Sequence, residues 1–279
     1  MKICATIPEV RAARRLRKRL GLVPTMGALH DGHLSLVRAA KAQCDLVAVS
    51  IFVNPTQFAP SEDLSKYPRQ FERDRALLEQ EGVDILFAPS VQEMYPKTQV
   101  TWVLVDELSE RLDGRSRRGH FRGVTTVVAK LFHIVEPEVA FFGQKDAAQL
   151  AIIRRMVRDL NFPIEIVACP IVREKDGLAM SSRNAYLHGE DRVRALVLRR
   201  SLQQAEREFQ LGERMAAKLI SAGTEVFKQE PHITLDYFEV VDPDTLQTVQ
   251  QVSQKTLVAV AAYVGSARLI DNIVLNPGL

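Results

Sequence analysis

Gly21-Leu22-Val23-Pro24-Thr25-Met26-Gly27-Ala28-Leu29-His30-Asp31-Gly32-His33 is the stretch on which the fold turns. Gly21 to Pro24 have strand length and apolar character, a glycine-punctuated turn follows, and a helical pattern then runs from His33 to Gln43. Strand, glycine turn and helix in that order make one βα unit, and repeated βα units build a parallel sheet. The unit does repeat. Asp45 to Val53, Val83 to Phe87, Val139 to Phe142 and Ile164 to Ala168 read as further strands, rich in Val, Ile and Phe as strands covered on both faces are. Helical patterns with apolar residues three and four apart fall at Gln70 to Glu81, Val124 to Ile134 and Ala147 to Asp159. The expected class is α/β.

Past Pro170 the pattern changes. Helical segments at Arg192 to Gln210 and Glu213 to Gln229 precede alternating stretches at Ile233 to Val241 and Thr256 to Tyr263, which suggests a smaller α+β domain. Pro170, the charged stretch Arg173 to Lys175 and Gly177 resemble a hinge, so the expected domains are residues 1–171 and 172–279. A length of 279 residues suits two domains of roughly 150 each. Hydrophobic residues at 46% and charged residues at 25% are those of a soluble globular chain. No apolar run nears the ~18 residues of a membrane span, and the start turns basic before a signal-peptide core can form, so the expectation is a cytoplasmic protein with no membrane partner. Cys4, Cys44 and Cys169 are too scattered for a disulfide framework or a CxxC pair. A net charge of +3 is too small to imply a nucleic-acid partner but is compatible with a locally basic pocket for an anionic small molecule. The basic run Arg11 to Arg19 reads as a surface helix with a Val10, Ala13 and Leu16 stripe, because it lacks the aromatics that stack on bases.

Chemistry gathers at the strand ends. In the opening turn, free backbone N–H groups and the positive end of a helix dipole suit an anion, and Gly27 and Gly32 permit positive φ or close approach. His30 and His33 can both donate to charge building on a phosphoryl group. Two histidines also suit zinc, but no further His or Cys at metal spacing lies nearby, and packed or capping histidines of no function are the plain alternative. Phe141-Phe142-Gly143-Gln144-Lys145-Asp146-Ala147-Ala148-Gln149 repeats the strand, glycine and helix geometry, with Lys145 a point charge for phosphate and Gln149 a hydrogen-bonding partner for a polar substrate. Asn54-Pro55-Thr56-Gln57-Phe58 places amides at another strand end, where a plain Pro turn is the alternative. Lys175 to Asn184 read as a polar linker or a mobile phosphate clamp that gains partners when phosphates arrive.

Taken in order, PTMGALHDGH, FVNPTQF, GHFRGVTTVV, FFGQKD, GLAMSSRN and the late ARLIDN resemble the pantoate–β-alanine ligase family of the HxGH nucleotidyltransferase superfamily, over essentially the whole chain. The resemblance implies a Rossmann-like domain that binds ATP and pantoate, a smaller C-terminal lid domain, and usually a homodimer. It implies that pantoate and Mg-ATP give pantoyl adenylate and pyrophosphate, after which β-alanine attacks the acyl carbon to yield pantothenate and AMP. ATP contacts carry over to Met26, Gly27, Ala28, Leu29, His30, Asp31, Gly32 and His33, to Gly143, Gln144, Lys145 and Asp146, and to Val172, Met180, Ser181, Ser182 and Arg183. His33 is the residue commonly assigned as proton donor, with His30 and Lys145 beside it as catalytic groups. Gln57 and Gln149 would hold pantoate, Gln57 also β-alanine, and Mg2+ would be held mainly by the ATP phosphates, with no protein metal site. The family usually has Glu at Gln144, Gln at Ala148 and Pro at Arg118. An enzyme that moves AMP onto a phosphate-bearing acceptor shares HxGH but has no need of paired amides at Gln57 and Gln149.

Overall fold

The computed structural model describes residues 1–14, 18–59 and 64–276. In chain order the first part comprises β1 (Lys2–Cys4), α1 (Ile7–Arg14), β2 (Leu20–Thr25), α2 (Asp31–Gln43), β3 (Leu46–Ile51), α3 (Phe71–Gln80), β4 (Ile85–Phe87), α4 (Val91–Met94), α5 (Asp113–Ser116), α6 (His120–Val135), β5 (Val139–Gly143), α7 (Ala147–Asp159) and β6 (Glu165–Cys169). The second comprises α8 (Gly189–Arg194), α9 (Val197–Gln210), α10 (Ala216–Glu225), β7 (Ile233–Val241), β8 (Thr256–Val264) and β9 (Ala267–Leu275).

The six-stranded sheet has the order β1-β4-β3-β2-β5-β6, and every pairing is parallel. From β2 the chain winds outward to β3 and β4, then returns to lay β5 and β6 on the other side. Strand order therefore reverses between β2 and β5, and their carboxyl ends leave a crevice where ligands of such sheets bind. Side-chain alternation sends Val23, Val49, Leu86 and Phe141 to a face covered by Leu34, Val37 and Ala40 of α2 and Leu78 of α3. Leu22, Ala48, Phe87 and Phe142 go to the other, under Phe132 of α6 and Ile152 of α7. Burying each Phe or Leu contributes roughly 1.5–3 kcal/mol, which is why the pattern of strands shows through the composition.

The antiparallel sheet β7-β8-β9 is joined to this core. Along β8, Leu257, Ala259 and Ala261 face the core of the first sheet together with Tyr237 and Val241, whereas Val258, Val260, Ala262 and Val264 meet Leu198 and Leu202 of α9 and Leu219 of α10. A polar tie adds to this packing. Arg268 of β9 donates to Asp113 of α5 at 2.6 Å and to Asp236 of β7 at 2.7 Å, with all three side chains largely out of water.

Two strands were not expected. β1 is three residues long at the sheet edge, and β9 carries Arg268, Asp271 and Asn272, whose polarity hides its strand character. The segment expected as one helix at Arg192 to Gln210 breaks at Ala195 and Leu196, and α6 begins at His120 rather than Val124. In the basic run, Val10 is fully buried, Arg14 pairs with Glu138 and donates to the Glu136 carbonyl, and Arg19 pairs with Glu165. Arg15, Leu16 and Arg17 lie outside the described residues. Among those described, no helix is long and apolar enough to cross a membrane.

Candidate active site

The crevice between β2 and β5 holds a cavity of about 210 Å3, which shares Lys145, Asp146, Gln149, Ser181 and Arg183 with a larger cleft of about 840 Å3 toward the second sheet. Met26, His30, Gly32, His33, Gln57, Gly143, Lys145, Asp146, Gln149, Val172, Met180, Ser181, Ser182 and Arg183 all line the smaller cavity. Four loops spread along the chain from Met26 to Arg183 thus meet in one place, as the topology requires.

The turn after β2 departs from the expectation of free backbone donors. Gly27 has a φ of +81° and Ala28 a φ of +51°, and that winding aims the Ala28 and Leu29 N–H groups at the carboxylate of Asp74 on α3, at 2.7 and 2.8 Å. Asp74 is 1% exposed. The Gly27 N–H goes to Thr25 Oγ1 at 3.2 Å. Gly27, Ala28 and Leu29 therefore form the wall behind the cavity and offer it no N–H, Asp31 points to water, and Gln144 turns toward Asn272 of β9. Of the sequence-derived contacts, these five are the ones the cavity leaves out.

Side chains supply what the backbone does not. His30 is the N-cap of α2, and its Nδ1 accepts the Gly32 N–H at 3.1 Å, while His33 Nδ1 accepts the His30 N–H at 3.4 Å. The histidines that close the N-terminus of α2 are also the ones that line the cavity. With Nδ1 accepting, the ring proton of each neutral imidazole sits on Nε2. Burial, and after it the Lys145 ammonium, lowers the His30 ring to about 4. Burial and then the neighbouring His30 lower His33 to about 3. Both rings are neutral Nε2–H donors at pH 7, and positive charge at this wall comes from Lys145 rather than from them. Gly32 is small because of His30: a Cβ there would stand 2.8 Å from the ring.

Lys145 and its neighbours are held from the second sheet. Asn272 Nδ2 donates to the carbonyls of Gln144 and Lys145 at 3.0 and 2.9 Å, and its Oδ1 accepts from Gln144 Nε2. Beside it Asp271, 3% exposed, takes both arms of Arg173 at 2.7 and 3.0 Å. Residues 172–184 are accordingly a tied hairpin rather than a free linker. Val172 and Met180 pair through backbone, Asn184 donates to Glu174, and Arg192 binds Glu174 and Asp176. The expectation that this segment finds partners only with phosphate is corrected by these contacts.

Gln57 is 8% exposed, its Oε1 accepting from Asn54 Nδ2 at 3.0 Å and its amide nitrogen 3.1 Å from Met26 Sδ. Opposite it, Val124, Val127, Val128 and Leu131 of α6 line the cavity. Their spacing is that of a core stripe, so nothing in the sequence distinguished a cavity wall from packing. Asp74 was missed for a similar reason, since an acid on an amphipathic helix reads as a solvated one. Ala148 is 1% exposed and packs in the core, away from the cavity lining. Among the described residues no cluster of three or more His, Cys, Asp or Glu side chains stands ready for a metal.

Donors gathered where a parallel sheet reverses its order, with an apolar wall facing them, make this an α/β enzyme of the HxGH class. Residues 2–274 match the family described as pantoate-beta-alanine ligase. A pantothenate synthetase of Acidobacterium capsulatum is 60% identical, across 99% of this chain and 97% of the relative, and one of Thermotoga neapolitana is 57% identical across 99% and 100%. The solved pantothenate synthetase of Thermus thermophilus superposes with a TM-score of 0.94 at 48% identity, covering 98% of this chain and 99% of that one. A pantoate-beta-alanine ligase of Francisella tularensis, solved with beta-gamma ATP and beta-alanine, gives 0.77 at 32% identity over 98% and 97%. The chain belongs to the pantoate–β-alanine ligase family, and it is a ligase.

Proposed function

We propose that the protein condenses pantoate with β-alanine to pantothenate through a pantoyl adenylate, at the expense of ATP. The observation that carries this reading is the meeting, in one cavity, of phosphate-directed donors (His30, His33, Lys145) with the amide pair Gln57 and Gln149 beside an apolar helix face. Pantoate is polar at both ends and carries a dimethyl carbon between them, which suits amides flanking Val124, Val127 and Val128.

In the first step a pantoate carboxylate oxygen bonds to the α-phosphorus and the bond to the β-phosphate oxygen breaks, releasing pyrophosphate. No protein nucleophile is needed. Lys145 and the two Nε2–H groups stabilise charge as it builds on the phosphoryl oxygens, a preorganised arrangement that typically contributes several kcal/mol. His33 offers its Nε2–H to the phosphoryl oxygens, since its Nδ1 is taken by the His30 N–H. In the second step the free amine of β-alanine bonds to the acyl carbon, AMP leaves, and the amine proton is lost to solvent. We assign ATP to the lining residues Met26, His30, Gly32, His33, Gly143, Lys145, Asp146, Val172, Met180, Ser181, Ser182 and Arg183, pantoate to Gln57 and Gln149, and β-alanine to Gln57. Mg2+ suits this site as an ion held chiefly by phosphate oxygens and water, with Asp146 the carboxylate on the cavity wall.

Residues 1–171 are read as the substrate-binding unit and 172–279 as the lid, in a cytoplasmic homodimer whose free cysteines fit a reducing compartment. The test is isotope exchange. Labelled pyrophosphate should enter ATP when pantoate is present, without β-alanine. Exchange without pantoate, or none until β-alanine is added, removes the adenylate.

A further inference from the structure

We propose that His120 is a positioning residue for Gln57 and acts as the Nδ1–H tautomer that Arg117 imposes on it. The inference rests on the reading of Gln57 as a substrate-holding amide. His120 opens α6 directly after Gly119, whose φ is +81°. Its Nε2 lies 2.9 Å from Arg117 Nη1, and its Nδ1 lies 2.8 Å from the carbonyl oxygen of Gln57. A guanidinium has donors and no acceptor, so Nε2 must accept. A carbonyl has no donor, so Nδ1 must carry the hydrogen and give it to Gln57. Only the neutral ring protonated on Nδ1 meets both demands, and turning the ring over would set carbons against both partners.

This is the opposite tautomer to that of His30 and His33, and the difference has a use. The side chain of Gln57 is set by Asn54, but its backbone carbonyl, in a partly buried turn, is held by His120. Without that donor the carbonyl keeps its desolvation and loses its partner, and the turn relieves this by moving. The amide that faces the substrate moves with it. Arg117 acts one step further out, by making the active tautomer the favoured one.

The tautomer is read directly in protein labelled with 15N-histidine, by long-range proton–nitrogen correlation, with the His120 signals identified by their loss in His120→Asn. Protonated Nδ1 and bare Nε2 are expected, and Arg117→Met should shift the ring toward Nε2–H. Kinetics give a second readout. His120→Phe should raise KM for pantoate about tenfold or more while KM for ATP stays within about twofold. His120→Asn, whose amide nitrogen takes the place of Nδ1, should restore KM for pantoate to within about threefold of wild type. His120→Gln, which reaches the Nε2 position, should not, and this pair carries the comparison if the Phe variant misfolds.

A ring protonated on Nε2, equal rises in both KM values, or Gln serving as well as Asn would overturn the proposal. Gln57→Ala separates the two layers. If it raises KM for pantoate and His120→Phe does not, only the role of His120 fails. If Gln57→Ala leaves KM unchanged, the reading of Gln57 itself is wrong and the proposal falls with it.

Discussion

Gly123→Ala adds one methyl group and should damage the pantoate side of the site selectively. Gly123 sits in α6 with no positive φ to explain it, so helix propensity alone favours the substitution by about 1 kcal/mol. The neighbour explains the glycine. A Cβ at this position would lie 2.7 Å from Gln57 Cα and 2.5 Å from the Thr56 carbonyl carbon, and closer still to the Thr56 oxygen, all of them backbone atoms. Ordinary carbon contacts need about 3.5 Å, so the helix and the turn must separate by about 1 Å. Overpacking of that kind costs about 1–3 kcal/mol, which leaves a net loss of stability of up to about 2 kcal/mol after the gain in propensity. The larger effect is geometric. A 1 Å misplacement of a substrate-holding group can cost ~10² in rate, so kcat/KM for pantoate should fall about 100-fold while the KM for ATP changes little. Steady-state kinetics with each substrate varied in turn, beside a thermal melt, reads both quantities. An Ala variant with wild-type kcat/KM for pantoate would refute the reasoning, because the close approach would then have no function.

His33→Ala should lower the rate of adenylate formation by ~10² to 10⁴ in single-turnover measurements while the protein stays folded, and near wild-type rates would remove His33 from the chemistry. The two histidines also predict an acid limb in stability. Their folded values, about 4 and about 3, lie below the ordinary 6.5, so the unfolded chain takes up protons first as pH falls. Their contribution is whole above pH 6.5 and is lost as pH falls through 4 and 3; urea midpoints of wild type should therefore drop more steeply over that window than those of His30→Asn/His33→Asn, and parallel curves would contradict the shifts. Gly143→Ala meets nothing within 4 Å, so its Cβ occupies open space at the crevice. The variant should melt like wild type but bind ATP about tenfold or more weakly by calorimetry, and unchanged binding would move the nucleotide elsewhere.

The sheet was legible because β2, β3 and β5 are runs rich in Val, Ile, Leu, Ala and Phe buried on both sides, and burial is what composition records best. β9 was not, because Arg268, Asp271 and Asn272 serve other elements: Arg268 binds α5, Asp271 binds Arg173, and Asn272 holds the Lys145 turn. Polar residues placed for tertiary contacts erase the alternation that marks a strand. The site was legible at the level of which residues gather, since His30, His33, Gln57, Lys145 and Gln149 do meet. Their protonation was not. Whether an imidazole is cation or neutral donor depends on burial and on which nitrogen caps the helix, and neither is written in the spacing of His30 and His33. The same holds for Asp74 and His120, whose partners lie 45 and 63 residues away.

Pantoate's own carboxylate oxygen is the atom proposed to bond to the α-phosphorus. Pantoate labelled with 18O in its carboxylate, turned over once with ATP and β-alanine, gives AMP whose phosphoryl oxygens are read by mass spectrometry. AMP carrying one 18O atom, with the other retained in the amide carbonyl of pantothenate, is the expected result. Unlabelled AMP, or label found in inorganic phosphate, would contradict the adenylate.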